Sequence, residues 1–129
     1  MASNYSSDLT LELITTGEKA GLWGSITNTN LQILQQAASG YATVSMSGGA
    51  DVTLSLADGS LANGKNLYLK LTGTMTGSNS LIIPATSTGG TVTRVYIIED
   101  ATDRTTNNYT INIKTSGSSN PIALPEGAN

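Results

Sequence analysis

Apolar residues recur at every second position through most of this chain, and that spacing limits what it can fold into more than any other feature. Leu9, Leu11 and Leu13 alternate with Asp8, Thr10 and Glu12. The pattern returns in Ala42, Val44 and Met46, in Val52, Leu54 and Leu56, and in Leu67, Leu69 and Leu71, with Thr, Ser, Lys or Tyr between them. A period of two places alternate side chains on opposite faces of a strand, so each run predicts a half-buried β-strand. Further strands are predicted at Leu81–Ile83, which Pro84 closes, at Val92–Ile98, and at the run carrying Tyr109, Ile111 and Ile113. Turn-forming residues separate the runs, notably Ser47-Gly48-Gly49-Ala50, Asp58-Gly59, Asn63-Gly64 and Gly89-Gly90. Short strands with frequent turns predict a mainly β chain, an antiparallel β-sandwich or jelly-roll-like domain with one short N-terminal helix. In Val92–Ile98, Val95 and Ile97 face one way and Tyr96 and Ile98 the other. A strand apolar on both faces is either central in two layers or covered by a neighbouring subunit.

The length of 129 residues suits one β domain over residues 1–120, with residues 121–129, containing Pro121 and Pro125, as an extended C-terminal arm outside the sheet core. Charge then removes several function classes. Charged residues make up only 12% of the chain and its net charge is −3, so no positive field exists to draw nucleic-acid phosphates or an anionic membrane. No apolar run approaches the roughly 18 residues of a bilayer span, and the N-terminus lacks the pattern of a cleaved signal, which leads to the expectation of a soluble product. With no Cys and no His, disulfides, thiolate or imidazole metal ligands, and Ser–His or Cys–His nucleophiles are ruled out. No catalytic residue, cofactor or metal is expected. The remaining chemical candidate is the acidic group Glu99, Asp100 and Asp103, which could supply paired acids or an oxygen site for calcium; its bland alternative is a solvated turn meeting Arg94 and Arg104. The five tyrosines, Tyr5, Tyr41, Tyr68, Tyr96 and Tyr109, leave a carbohydrate-binding module open as a further alternative, if two of them share an exposed face.

One stretch departs from the β pattern: Gly17 to Tyr41, GEKAGLWGSITNTNLQILQQAASGY. Leu31, Leu34 and Ala38 fall at i, i+3 and i+7, Ser25 or Thr27 could cap the first turn, and Gly40 fits a left-handed C-terminal position. These residues predict a helix over 28–39, about three turns long. Ile33 lies partly off the stripe and offers a second contact surface. The only tryptophan, Trp23, sits between Gly21 and Gly24. Two readings stand for it: a loop plug over the end of the β layers, or an interface anchor of the kind that dominates association energies. Loop and helix together, residues 17–40, form a docking element, and its interface candidates are Gly21, Trp23, Gly24, Leu31, Ile33 and Leu34, joined by Tyr96 and Ile98 on the strand.

The opening SNYSSDLTLELITTGEKAGLWGSITNTNLQIL, followed by a helix ending at a Gly-Tyr pair and by Thr-rich strands, resembles the N-terminal domain of tail-fibre-like virion structural proteins of marine tailed bacteriophages, especially those of cyanobacteria. The string from Gly17 to Leu31 is its most specific part. The likeness continues more loosely through LYLKLTGTMTGSNSLIIPA and RVYIIEDATD. The resemblance implies a virion component, a tail-fibre base or adaptor or else a capsid decoration protein. It further implies other virion proteins as partners and a homo-oligomer, with a trimer favoured. Members of such families often continue into further fibre sequence, so a receptor-binding tip is not expected within a chain ending near Asn129.

Overall fold

In the computed structural model, residues 4–17, 19–104 and 108–125 are described. Two short strands, β1 (Asn4–Tyr5) and β2 (Glu12–Leu13), form an antiparallel pair. The helix α1 (Trp23–Ser39) follows and leads directly into β3 (Tyr41–Ser45). Then come β4 (Val52–Thr53), a 3-10 turn at Asn63–Lys65, β5 (Tyr68–Thr72) and β6 (Asn79–Ile83). A small antiparallel pair, β7 (Thr86–Ser87) with β8 (Gly90–Thr91), precedes β9 (Ile97–Asp100), β10 (Ile111–Thr115) and β11 (Ile122–Leu124).

The β-rich content with one helix agrees with expectation, but the strand pairing does not. One sheet has the order β3-β5-β9 and the other β11-β10-β6-β4. Every pair in these two sheets is parallel except β10 with β11. The chain alternates between the sheets, visiting the first at β3, β5 and β9 and the second at β4, β6 and β10. Tyr41 stands beside Tyr68, which stands beside Ile97, so one coil takes 27 residues and the next 29. The result is a short parallel solenoid of three coils, in which each strand's neighbour lies one full coil away. This corrects the antiparallel sandwich or jelly roll. Side chains alternate identically in parallel and antiparallel strands, so the period of two carries no information on direction. The Ser47–Ala50 segment reads as a hairpin turn, yet its peptides stack on the next coil: Gly48 N donates to Thr74 O at 3.2 Å and Thr76 N to Gly48 O at 3.2 Å. It is a corner.

The core lies between the two sheets. Val44, Leu69 and Leu71 from the first meet Leu54, Leu81 and Ile111 from the second, with Met46 and Met75 at the corners. Strand register stacks like on like, Val44 on Leu71, and the stack then ends on Asp100 in the third coil. That carboxylate is buried against Arg104. The Thr102 backbone N–H and hydroxyl both donate to Asp100 Oδ1, at 3.0 and 2.6 Å. Arg104 also donates to the carbonyls of Tyr109 (3.3 Å) and Leu124 (3.2 Å), tying β10 and β11 to the end of the stack. The expected C-terminal arm is therefore a sheet strand over Ile122–Leu124, and residues 126–129 lie outside those described. Glu99 points outward, where it accepts from Tyr68 Oη at 2.7 Å and pairs with Lys70 at 3.7 Å. Successive strand residues face opposite ways, so Glu99 and Asp100 share no cleft.

The N-terminal segment lies across the loops that close the coils. Thr93 N donates to Asp8 Oδ1 at 2.7 Å, Arg94 to Asp8 O at 3.0 Å, and Gly59 N to Thr10 O at 2.8 Å. Thr10 is buried with φ +54, which breaks the strand expected through Leu9, Leu11 and Leu13. The helix is locked to this segment by one side chain, since the Asn30 carboxamide receives Glu12 N–H at 3.1 Å and donates to Glu12 O at 3.0 Å.

Candidate functional site

The helix α1 runs for 17 residues, about 25 Å, and starts at Trp23 rather than at Asn28. Its start is set by the backbone, with Leu22 N and Trp23 N both donating to Lys19 O, at 2.8 and 3.1 Å. Neither Ser25 nor Thr27 caps it; Ser25 Oγ instead donates to Leu22 O at 2.9 Å. Gly40 is extended (φ −68, ψ 142) and not left-handed. Glycine is needed there for another reason: a Cβ would run into Asn66 Oδ1 and the Gln36 backbone.

No residue of α1 is charged. At about 100° per residue, Ile26, Asn30, Ile33 and Ala37 fall on one face, and Trp23, Thr27, Leu31, Leu34 and Ala38 fall within an arc of about 80° beside it. The first face is the packed one, with Ile33 at 0% exposure. The second faces solvent, with Trp23 63%, Leu31 58% and Leu34 40% exposed. The Leu31, Leu34 and Ala38 stripe is thus the one left in solvent, and Ile33, expected to offer a second contact surface, is the residue that docks on the fold. The periodicity marks two stripes on this helix, and burial selects the one whose Asn30 can bond the β2 backbone.

The interface candidates therefore divide. Trp23, Leu31 and Leu34 are exposed together, with Gly21 and Gly24 exposed next to Trp23. The loop-plug reading of Trp23 is excluded by its exposure in the first turn of the helix. Ile33 is withdrawn into the fold. Tyr96 and Ile98 pack inward against the core, and the outward residues of that run are Val95 and Ile97. Tyr96 is held by its hydroxyl, which donates to Gly64 O at 2.6 Å, and by Arg94 lying 5.7 Å from the ring centre. Burial pushes the Tyr96 phenol above its ordinary value, against the opposing pull of Arg94.

Beside the outer stripe, the polar flank of α1 forms one wall of an open groove of about 410 Å³. Gln32, Gln35, Gln36 and Ser39 come from the helix, Tyr41 from β3, and Leu61 and Asn66 from the loop that closes the first coil. Tyr41 is exposed and stacks on Tyr68 with ring centres 5.4 Å apart and planes at 22°. The parallel register at this position aligns the two rings on adjacent strands. The Tyr68 phenol is raised above its ordinary value, chiefly by its hydrogen bond to Glu99. The groove arises where helix and first strand meet, and the sequence shows its members only as scattered amides.

A buried cation lies beneath the same loop. Lys65 is fully buried, and its Nζ donates to the carbonyls of Ala57 and Ser60. Burial first, and then the neighbouring Arg94 charge, lowers its pKa to about 8. Its partners are all backbone carbonyls, as for a structural cation holding a loop. Among the described residues no group of three or more acidic residues is placed to hold a metal ion. Among the described residues no helix is long and apolar enough to cross a membrane.

No protein-family model, curated protein or solved structure matches this chain.

Proposed function

We propose that this chain is a structural component of a bacteriophage virion, a tail-fibre base or adaptor that assembles through the outer face of α1, with no catalytic role, cofactor or metal. The observation that carries this reading is the uncharged helix with a second apolar stripe in solvent. Exposed aromatic and leucine side chains grouped on one element mark an association surface. The absence of charge suits packing of copies of this helix around an axis, where each core layer sets a residue against its own copies and a charge would repel itself. Thr27, Leu31, Leu34 and Ala38 are spaced 4, 3 and 4 apart, the spacing of a helix seam, which suits three helices packed around an axis. The resemblance of the Gly17–Leu31 string to tail-fibre-like virion proteins supplies the setting and the further virion partners.

The reading is tested by sedimentation equilibrium on the purified chain and on Leu31→Ser/Leu34→Ser, together with labelling of the chain on virions by electron microscopy. A trimer that the double substitution converts to monomer, with label at the tail, is the expected result. A wild-type monomer at high concentration overturns self-assembly through α1, and label distributed over the capsid lattice replaces the tail role with decoration.

A further inference from the structure

The groove between α1 and the first coil has a chemistry that the outer stripe lacks. Its polar lining is almost entirely carboxamide, from Gln32, Gln35, Gln36 and Asn66, with the Ser39 hydroxyl beside them. No charged side chain lines it, which disfavours phosphate, carboxylate or ammonium ligands. Its one aromatic wall, Tyr41, is exposed while its ring is fixed by stacking on Tyr68. The volume of about 410 Å³ falls in the range of roughly 300–1,000 Å³ seen for small-molecule sites.

Gln36 adds an independent observation. Its Nε2 donates to Ala62 O at 3.4 Å, which fixes the orientation of the amide. That leaves Gln36 Oε1 buried without a hydrogen-bond partner among the described residues. A buried acceptor in this condition costs free energy until a donor reaches it. Asn66 is pinned through Nδ2 to Asn63 O at 3.1 Å, so both amides are held by the loop rather than free to rearrange.

From this lining we infer that the groove is a binding site for a neutral saccharide. Sugar hydroxyls both donate and accept, and they match amide groups that do the same. The apolar C–H face of a pyranose ring lies on Tyr41, as rigid aromatic platforms allow. Leu61 adds an apolar side chain to the lining. An open groove with a single stacking ring binds one sugar unit weakly, in the millimolar range, and a chain of units more tightly. The inference does not depend on the assembly reading, since the groove uses the amide flank of α1 and not the Trp23–Leu34 stripe.

The test is an NMR titration of ¹⁵N-labelled protein with glucose, galactose, mannose, N-acetylglucosamine and the trisaccharide of the last. Saturable shifts confined to the side-chain amides of Gln32, Gln35, Gln36 and Asn66 and to the backbone of residues 39–41 are expected with at least one sugar. Tyr41→Ala should weaken that binding about tenfold or more. Gln35→Ala, at an exposed helix position, should weaken it severalfold without altering the fold. Trp23→Ser should leave the titration unchanged whatever it does to sedimentation, which separates failure of this site from failure of assembly. Absence of saturable shifts with every sugar well above millimolar concentration overturns the inference. So does a groove that shifts with an Asn/Gln-rich heptapeptide and with no sugar.

Discussion

The three-coil stack and the helix beside it treat their apolar residues in opposite ways. In the stack, Leu69, Leu71, Leu81 and Ile111 are fully buried between two parallel sheets. In α1, Ile33 alone among the large apolar residues is fully buried, while Trp23, Leu31 and Leu34 stand in water. Both elements carry enough apolar surface to build a core. The difference lies in where a partner is found: each inner strand position meets its counterpart one coil away, whereas the outer helix stripe has no counterpart within the described chain. Stability is thus concentrated in the stack, while the helix leaves an apolar stripe in solvent.

Four substitutions or conditions sharpen or break that contrast. The largest effect is expected at the end of the stack, where Asp100→Ala leaves Arg104 buried without its carboxylate and should cost about 3–5 kcal/mol in denaturant unfolding. A loss under about 1 kcal/mol would show that the C-terminal end does not contribute to the cooperative core. Next, Leu71→Ala opens a cavity between the sheets and should cost about 2–5 kcal/mol, read from the shift of the urea midpoint.

Lys65 provides a test by pH. Its folded pKa of about 8 lies below the ordinary lysine value, so the folded chain binds the proton less tightly than the unfolded one. Stability should therefore rise with pH between about 8 and the unfolded lysine value near 10.4, by something on the order of 2 kcal/mol between pH 7 and pH 9.5. The Lys65→Met chain should lack this rise, and equal slopes in the two proteins would refute the assignment. The smallest effect belongs to the outer face of α1: Leu31→Ala should change monomer stability by no more than about 0.5 kcal/mol. A loss comparable to that of Leu71→Ala would erase the distinction between stack and helix.

The inward residues of the body were legible in the sequence. Val44, Leu69, Leu71 and Leu81 are inside because the period of two demands one buried face, and the helix exists because Leu31, Ile33 and Leu34 have no place in that period. Strand direction was not legible from alternation. The clue to it is a long-range repeat, Tyr41-Ala42-Thr43-Val44-Ser45 returning as Tyr68-Leu69-Lys70-Leu71-Thr72 after 27 residues, which matches the register the strands adopt. Its third copy, beginning at Ile97, is degraded where Asp100 replaces an apolar residue. The orientation of α1 was hidden for a different reason. Two apolar stripes of similar strength lie on one helix, and the choice between them rests on the hydrogen bonds between Asn30 and the Glu12 backbone, a contact across 18 residues. The groove was not legible because its amides come from a helix and a distant loop and have no local pattern. Tyr41 and Tyr68 were visible as tyrosines, and only the parallel register makes them a pair.

The one-coil register has a consequence for how such a molecule changes length. Each coil contacts only the coils above and below it, so a duplicated segment of about 27–29 residues could enter between β5 and β9 and meet the surfaces its neighbours already present. Each insertion would carry the Asp100–Arg104 end about 4.8 Å along the stack, and it would part Thr93 and Arg94 from Asp8 unless the N-terminal segment lengthened with the stack. The strap from Asp8 to Glu12, bonded to the loop before β9 at one end and to Asn30 of α1 at the other, therefore sets how many coils the molecule can hold between them.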